Sequence, residues 1–379
     1  MTKKVGVISL YYHNYNYGGC LQAYAMVLAI QKLGYQVEQL SYDREFEKSA
    51  PALSVKNQMV VALKRKLPGT FLNRTYKNHV LFDHFIHMIP HSEVVYTARS
   101  IAQAEGKYDA FVAGSDQIWN PRYACDAYYL GFVGGGKRKI SYAASIGNNR
   151  LEQSTINLMR EKLQDFDAIS VREASASELL NGRVGVKAIR VLDPVLLLHP
   201  AELDELAASA RQVRHTKPYA VTYLLGNLEK NYQVCEEYSQ RLGIKLVSIP
   251  TKPEDVVLGK PQYGVGPKEF ISLIRDAELV ITDSFHATVL SILYHKKSII
   301  LQRNMSNDAE SMNSRIEDLF ELFANQFHWG DVANAAENTP DWELVDQILN
   351  EERERSIAFL ENSLIEEPHV EIKGDKKHG

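Results

Sequence analysis

The chain has 379 residues, 45% of them hydrophobic and 24% charged, with only three cysteines. That is ordinary globular usage, long enough for two cores, and it excludes collagenous, disulfide-scaffold and disordered classes. Its 43 Lys+Arg against 47 Asp+Glu leave a net charge of −4, so no global positive field holds nucleic acid by its phosphates and no nucleic-acid partner is expected.

The first element is a short apolar run, Val5–Leu10, followed at once by Tyr, His and Asn. It is too short for the core of a secretion signal and reads as a strand. Leu21, Ala25, Leu28, Ala29 and Leu33 then recur at helical spacing, Gly34 stops the helix, and Val37–Leu40 is the next strand. This βαβ opening predicts a parallel sheet with a right-handed crossover.

Residues 48–90 break the rhythm. Between Glu47 and Asp83 there is no acidic residue, while Lys48, Lys56, Lys64, Arg65, Lys66, Arg74 and Lys77 are basic. Apolar residues interleave with them, which fits a helical excursion packed on the sheet or a segment held at an anionic lipid surface.

Strands follow at Ala110–Ala113, Lys139–Ala143, Ala168–Val171 and Ala188–Leu192, with helices at Leu151–Phe166 and Glu173–Leu180. A polar connection at about 199–217 separates a second half. There the strands are Tyr219–Leu225, Lys245–Ile249, Leu279–Thr282 and Ser298–Leu301. The helices are about 229–242, 267–276, 285–295 and 313–324, and a charged helix at 341–363 ends the pattern. From Asp331 onward 13 acidic residues face 5 basic ones. The expected fold is therefore α/β, with two Rossmann-like domains and a cleft between them at the carboxyl ends of their strands. The expected divisions are 1–200, carrying the basic excursion; 201–330; and a helix and tail at 331–379.

No apolar run approaches the roughly 20 residues of a membrane span. The odd cysteine count, with no C-x-x-C, fits a reduced chain. A cytoplasmic protein is expected, at most peripheral on the inner face of the membrane.

Four junctions carry candidate chemistry. The first reads Asn16-Tyr17-Gly18-Gly19-Cys20-Leu21-Gln22 at a helix start. Its glycines let a ligand approach backbone N–H groups, or simply make a tight turn; it is neither a dinucleotide fingerprint nor a Walker loop. The second is Gly114-Ser115-Asp116-Gln117-Ile118-Trp119-Asn120-Pro121. Ser and Asp suit a helix N-cap, but Pro121 comes too soon for a regular helix, so Asp116 is a candidate base or hydroxyl ligand. The third is Arg172 at a strand end, either a surface ion pair or a fork for carboxylate or phosphate. The fourth, Thr282-Asp283-Ser284-Phe285-His286-Ala287, places an imidazole at the first turn of a helix. Read alone, His286 is equally a buried core histidine or a proton carrier. No cluster with metal-ligand spacing is present, and no metal site is expected.

With these junctions in order, the chain resembles the polysaccharide pyruvyl transferase family. The Asn16–Gln22 opening, the Gly-Ser-Asp-Gln-x-Trp-Asn stretch, the Val-Arg-Glu at Arg172, the Leu-Asp-Pro at Asp193, the Thr-Asp-Ser-Phe-His block and Asn313-Ser314-Arg315-Ile316 carry the resemblance. It implies a two-domain, GT-B-like fold. It also implies transfer of a carboxyethylidene group from phosphoenolpyruvate to a hydroxyl pair of a sugar in surface polysaccharide (exopolysaccharide or capsule) biosynthesis, on a lipid-linked oligosaccharide acceptor. Phosphoenolpyruvate is then a co-substrate, and no cofactor is expected.

Carried onto this chain, the resemblance makes His286 the acid and Asp116 its helper toward the sugar. Arg172, Arg315, Ser115 and Ser284 are donor-binding, and Asn16, Gly18, Gly19, Gln22 and Asn120 line the acceptor side or cleft. Two positions depart from the family: Ser284 stands where members carry Arg, and Ala287 where they often carry Gly. Arg315 is the expected replacement for the missing arginine. Two other readings are a glycosyltransferase using a nucleotide sugar, with Glu269 or another acid on the ribose, and a non-catalytic relative at a membrane surface.

Overall fold

The computed structural model describes residues 3–44, 71–147, 151–210, 218–226, 229–251, 255, 259–303, 313–330 and 340–365. Seven strands, β1 (Lys4–Ile8), β2 (Gln36–Tyr42), β3 (His91–Tyr96), β4 (Ala110–Ala113), β5 (Arg138–Ala144), β6 (Ala168–Val171) and β7 (Ala188–Arg190), form one sheet. Its order is β3-β2-β1-β4-β5-β6-β7. Five more, β8 (Tyr219–Tyr223), β9 (Lys245–Ser248), β10 (Lys260–Pro261), β11 (Leu279–Thr282) and β12 (Ser298–Ile300), form a second in the order β10-β9-β8-β11-β12. Every pairing is parallel. The two-domain α/β architecture expected from the sequence is present.

The inner strands are short apolar runs because helices cover both faces: β4, β8 and β11 are buried along their whole length. In each sheet the strand order reverses once, between β1 and β4 and between β8 and β11. Ligands of open α/β sheets bind at such switch points, beyond the strands' carboxyl ends.

The two domains share one continuous apolar core. Tyr17 crosses the divide: its ring stacks on Phe270 at 4.2 Å and its hydroxyl donates to the Val265 carbonyl at 3.0 Å. Asn78 does the same with its Oδ1, which accepts from Gly264 and Val265 N–H at 2.8 and 3.1 Å. The last helix, Trp342–Leu364, returns to the first domain. Arg353 donates to the carbonyls of Leu196 and Leu198 at 2.7 and 2.6 Å, and Ser356 Oγ accepts from Leu192 N–H at 2.9 Å.

Within the excursion, residues 71–88 form the expected helix, which buries Phe82, Phe85 and Ile86. Two regions differ from the sequence reading. The first is β3, which follows that helix as an edge strand. The exposed middle of β3, Glu93-Val94-Val95, hides the apolar signature of a buried strand. The polar connection after residue 199 contains the helix Pro200–Ala208, which starts on a proline and closes on itself by the bond from His199 N–H to Glu202 Oε2 at 2.9 Å. Its charged sequence buries only a narrow stripe, Leu203, Leu206 and Ala207. Lys48, Lys56, Lys64, Arg65, Lys66 and the acidic tail beyond residue 365 lie outside the described residues. Among the described residues no helix is long and apolar enough to cross a membrane. Cys20, Cys125 and Cys235 form no disulfide.

Candidate active site

The loop after β1 enters the helix Tyr17–Lys32 through Asn16, whose Oδ1 accepts from Gly19 N–H at 3.1 Å as the helix cap. The glycines then serve packing. A Cβ on Gly18 would overlap the His286 ring, and one on Gly19 would lie 2.9 Å from the Leu10 carbonyl. Gln22 is fully buried one turn later. Its amide donates to the Gly19 carbonyl at 2.8 Å and accepts from Ser115 N–H at 3.1 Å, so it ties the first junction to the second.

The second junction leaves β4 without starting a helix. Asp116 takes a left-handed backbone, φ 66°, which Asp tolerates better than most residues. Ser115 is buried, and its Oγ donates to the Ala143 carbonyl at 2.9 Å and reaches Asp193 Oδ2 at 3.3 Å.

Arg172, just past β6, is buried rather than a surface ion pair. Its Nη1 bonds Asp193 Oδ2 at 2.9 Å, its Nε bonds Glu173 Oε1 at 3.1 Å, and its guanidinium lies 4.3 Å from the centre of the Phe285 ring. Burial opposes its charge, but Glu173, Asp193 and Asp116 outweigh that and hold it above the ordinary arginine range. Burial would likewise neutralise Asp193, yet His286 and Arg172 hold its carboxyl well below the usual carboxylate range. Asp193 Oδ1 also accepts from Val195 N–H at 2.9 Å.

The fourth junction comes from the second domain. Asp283 accepts from the N–H groups of Leu225 and Gly226 at 2.7 and 2.8 Å, fixing the loop after β8. Ser284 Oγ accepts from Ala287 N–H at 3.5 Å, so this residue caps the helix Phe285–Leu293. His286 on the first turn is buried, with Nε2 at 3.5 Å from Asp193 Oδ2. The β11 junction of one domain thus inserts an imidazole between the β1 junction and the segment after β7 of the other.

Arg315, on the helix Ser314–Leu322, is also buried, but no carboxylate pairs with it among the described residues. With the Gln117 amide oxygen turned toward the guanidinium, Gln117 accepts from Nη1 at 2.8 Å and Nη2 at 3.3 Å. The Asn120 amide lies 2.9 Å from that of Gln117. Burial, then the charges of Arg172 and Arg303, push Arg315 down to about 9, against Asp116 and Glu173. Arg172 Nη2, Arg303 Nε and Arg315 Nε are buried N–H groups with no hydrogen-bond partner among the described residues. Arg172 and Arg315 line one cleft with Glu173, Asp193, Phe285 and Asp318.

The structure therefore brings Gly18, Ser115, Arg172, Arg315, His286 and the flank of Asp116 together. It gives Asn16 and Ser284 to helix capping, and Gly19, Gln22 and Asn120 to the packing around them. Sequence reasoning missed Glu173, Gln117 and Arg303, and gave Asp193 no role. One signal was available: Asp193 interrupts the apolar run Val191–Leu198, where an uncompensated charge is too costly to bury.

Among solved structures, the chain is similar to UDP-GlcNAc 2-epimerase from Neisseria meningitidis bound to UDP-GlcNAc, with 11% identity, a TM-score of 0.47 and coverage of 93% of this chain and 100% of that one. It is also similar to the glycosyltransferase SsfS6 of Streptomyces sp. SF2575, complexed with thymidine diphosphate, at 11% identity and a TM-score of 0.42 over 95% and 96%. A third is Acinetobacter baumannii MurG, at 9% identity and a TM-score of 0.40 over 96% and 99%. No curated protein sequence matches the chain. The sequence pattern of polysaccharide pyruvyl transferases, in contrast, matches residues 16–304, from the cap of the first helix to just past Arg303. Over that span, which holds every junction described above, the chain belongs to the polysaccharide pyruvyl transferase family.

Proposed function

We propose that the protein transfers a carboxyethylidene group from phosphoenolpyruvate to two hydroxyls of a sugar, forming a pyruvate ketal and phosphate. The observation that carries this reading is the cationic cleft: buried Arg172 and Arg315 and half-buried Arg303 each keep a buried N–H without a partner among the described residues, beside a buried His286. Phosphoenolpyruvate brings a carboxylate and a phosphate of about −1.5 to −2 charges, by analogy with phosphoserine. A helix N-terminus supplies only about 0.3–1 kcal/mol toward such an anion. Arginines supply more, through charge-assisted and often bidentate bonds. Arg315, depressed to about 9 by burial and then by the like charges of Arg172 and Arg303, recovers its proton affinity when an anion binds.

His286 gives a proton to the methylene, which becomes the methyl group. One sugar hydroxyl adds to the carbon between carboxylate and phosphate, and Asp116 takes up its proton. The second hydroxyl adds to the same carbon as the phosphate departs, and its proton leaves with the phosphate. The acceptor is a surface-polysaccharide precursor, carried on a lipid at the cytoplasmic membrane face.

The nucleotide-sugar reading is less supported. Glu269, the acid it would place on a ribose, is buried and accepts from Gly266 N–H at 3.0 Å, capping its own helix. Thermal-shift titration separates the two readings. Phosphoenolpyruvate is expected to stabilise the protein and UDP-sugars are not. Phosphate release from phosphoenolpyruvate is expected to require a sugar-lipid acceptor and to vanish in His286→Ala. Release without acceptor, or release that survives this substitution, overturns the proposal.

A further inference from the structure

The ring of His286 belongs to the second domain, but the carboxylate and the glycine that flank its two nitrogens belong to the first. Asp193 faces Nε2 at 3.5 Å, and Gly18 lies against Nδ1. Asp193 has no freedom to follow another partner. It is fully buried and held by Val195 N–H at 2.9 Å, Arg172 Nη1 at 2.9 Å and Ser115 Oγ at 3.3 Å. His286 Nε2 is buried and makes no hydrogen bond among the described residues, and Asp193 Oδ2 at 3.5 Å is the charged group it faces. A proton on Nε2 therefore has one acceptor to face, the fixed carboxylate. The other nitrogen, Nδ1, lies where residue 18 would carry a side chain if it were not glycine.

We propose that Asp193 is a positioning residue that fixes the Nε2–H form of the resting imidazole, that Gly18 leaves room for the ring in this orientation, and that Nδ1 is the atom that passes the proton to the donor. This rests on the pyruvyl-transfer reading and deepens it. In the proton balance, Nδ1 of the neutral ring takes up the proton of the first sugar hydroxyl, by way of Asp116, as that hydroxyl adds, and hands it to the methylene carbon of phosphoenolpyruvate. The second hydroxyl proton leaves on the phosphate. Asp193 stays ionised and stabilises the imidazolium between these events, as the carboxylate does in a Ser-His-Asp triad. Because ring and carboxylate come from different domains, the acid is correctly oriented only when the domains are together. Proton delivery is thereby confined to the closed cleft.

Two substitutions at separate elements test this. Asp193→Asn keeps the side-chain volume and an oxygen for Arg172 or Val195 N–H, but removes the charge that orders the ring. Gly18→Ala leaves all charges in place and sets a methyl against the ring, which must shift from its place beside Asp193. Each is expected to lower kcat by about 10²–10⁴-fold, the usual contribution of positioned acid–base catalysis. KM for phosphoenolpyruvate and its thermal shift should stay within about threefold, because the lost interaction acts on the reaction and not on donor binding. A kcat within about threefold of wild type in either variant overturns the proposal. So does a parallel loss of donor-induced stabilisation, which would mark a purely structural role. Nitrogen NMR of histidine-labelled full-length protein, with His286 assigned from His286→Gln, gives a readout independent of turnover. The wild type is expected to show one Nε2–H form that Asp193→Asn loses; a predominant Nδ1–H form in the wild type overturns the assignment. If the wild type shows the expected form yet releases no phosphate with any acceptor, the functional reading has failed and the geometry has not.

Discussion

Ser175 Oγ donates to Asp318 Oδ2 at 2.8 Å, joining the end of the first sheet to the helix that carries Arg315. Burial pushes the Asp318 carboxyl up to about 6, beyond what the bonds from Ser175 can offset, and Glu173 adds to the rise. A carboxyl raised in the folded state stabilises most below its unfolded value of 3.8, and that contribution is lost as pH rises through about 6. Asp318→Asn removes the titration. Its melting temperature is expected to match wild type near pH 4 and exceed it near pH 7. Asp318 is partly exposed, so the gain should be on the order of 1 kcal/mol. A difference between the two proteins that does not change with pH would contradict this.

Arg315 is expected to trade stability for binding. Its depressed proton affinity means that the fold carries the charge at a cost. Arg315→Met should raise the melting temperature of the unliganded protein by an amount equivalent to about 1–3 kcal/mol, as happens when a strained binding residue is removed. The same substitution should weaken phosphoenolpyruvate about 10- to 100-fold, the worth of one or two charged hydrogen bonds. Calorimetric titration measures the second effect. An unchanged affinity would show that Arg315 does not stand in for the arginine absent at Ser284.

Arg172 is predicted to behave in the opposite way. Its bonds to Asp193 and Glu173 lie in the interior, with all three side chains almost wholly buried. Arg172→Met leaves two carboxylates without their cation and should cost about 3–5 kcal/mol, read as a lower urea midpoint. Adding Asp193→Asn and Glu173→Gln should restore most of that loss while leaving the protein inactive. A triple variant no more stable than the single one would show that the cluster does not act as a unit.

Much of the fold is legible in the sequence because its inner strands are continuous apolar runs. Val280-Ile281-Thr282 and Phe111-Val112-Ala113 announce themselves, and the polar residues after each mark the carboxyl ends where ligands bind. The edge strand β3 was not legible, since a strand that pairs on one side and meets solvent in its middle carries no such run. Among site residues, His286, Arg172 and Arg315 could be singled out by type and place. Their division of labour could not. Whether a buried arginine is neutralised, as Arg172 is by Asp193, or left to a neutral amide, as Arg315 is with Gln117, depends on contacts between segments far apart in the chain. Gly18 shows the same limit: its sequence context suggests a ligand loop, and only the neighbouring domain reveals a socket for an imidazole.

The returning helix has a consequence for synthesis. Ser356 satisfies the Leu192 N–H from 164 positions later, and Arg353 satisfies the Leu196 carbonyl from 157 later. As the chain leaves the ribosome, the first domain emerges with these buried backbone groups still open, and stays so until the second domain has been made. Asp193, the carboxylate that faces His286, lies in that same Leu192–Leu198 segment. Nascent chains that stop before the last helix would thus have both sheets encoded and this segment still unsealed, so the first domain is completed by the last helix and not by its own residues alone.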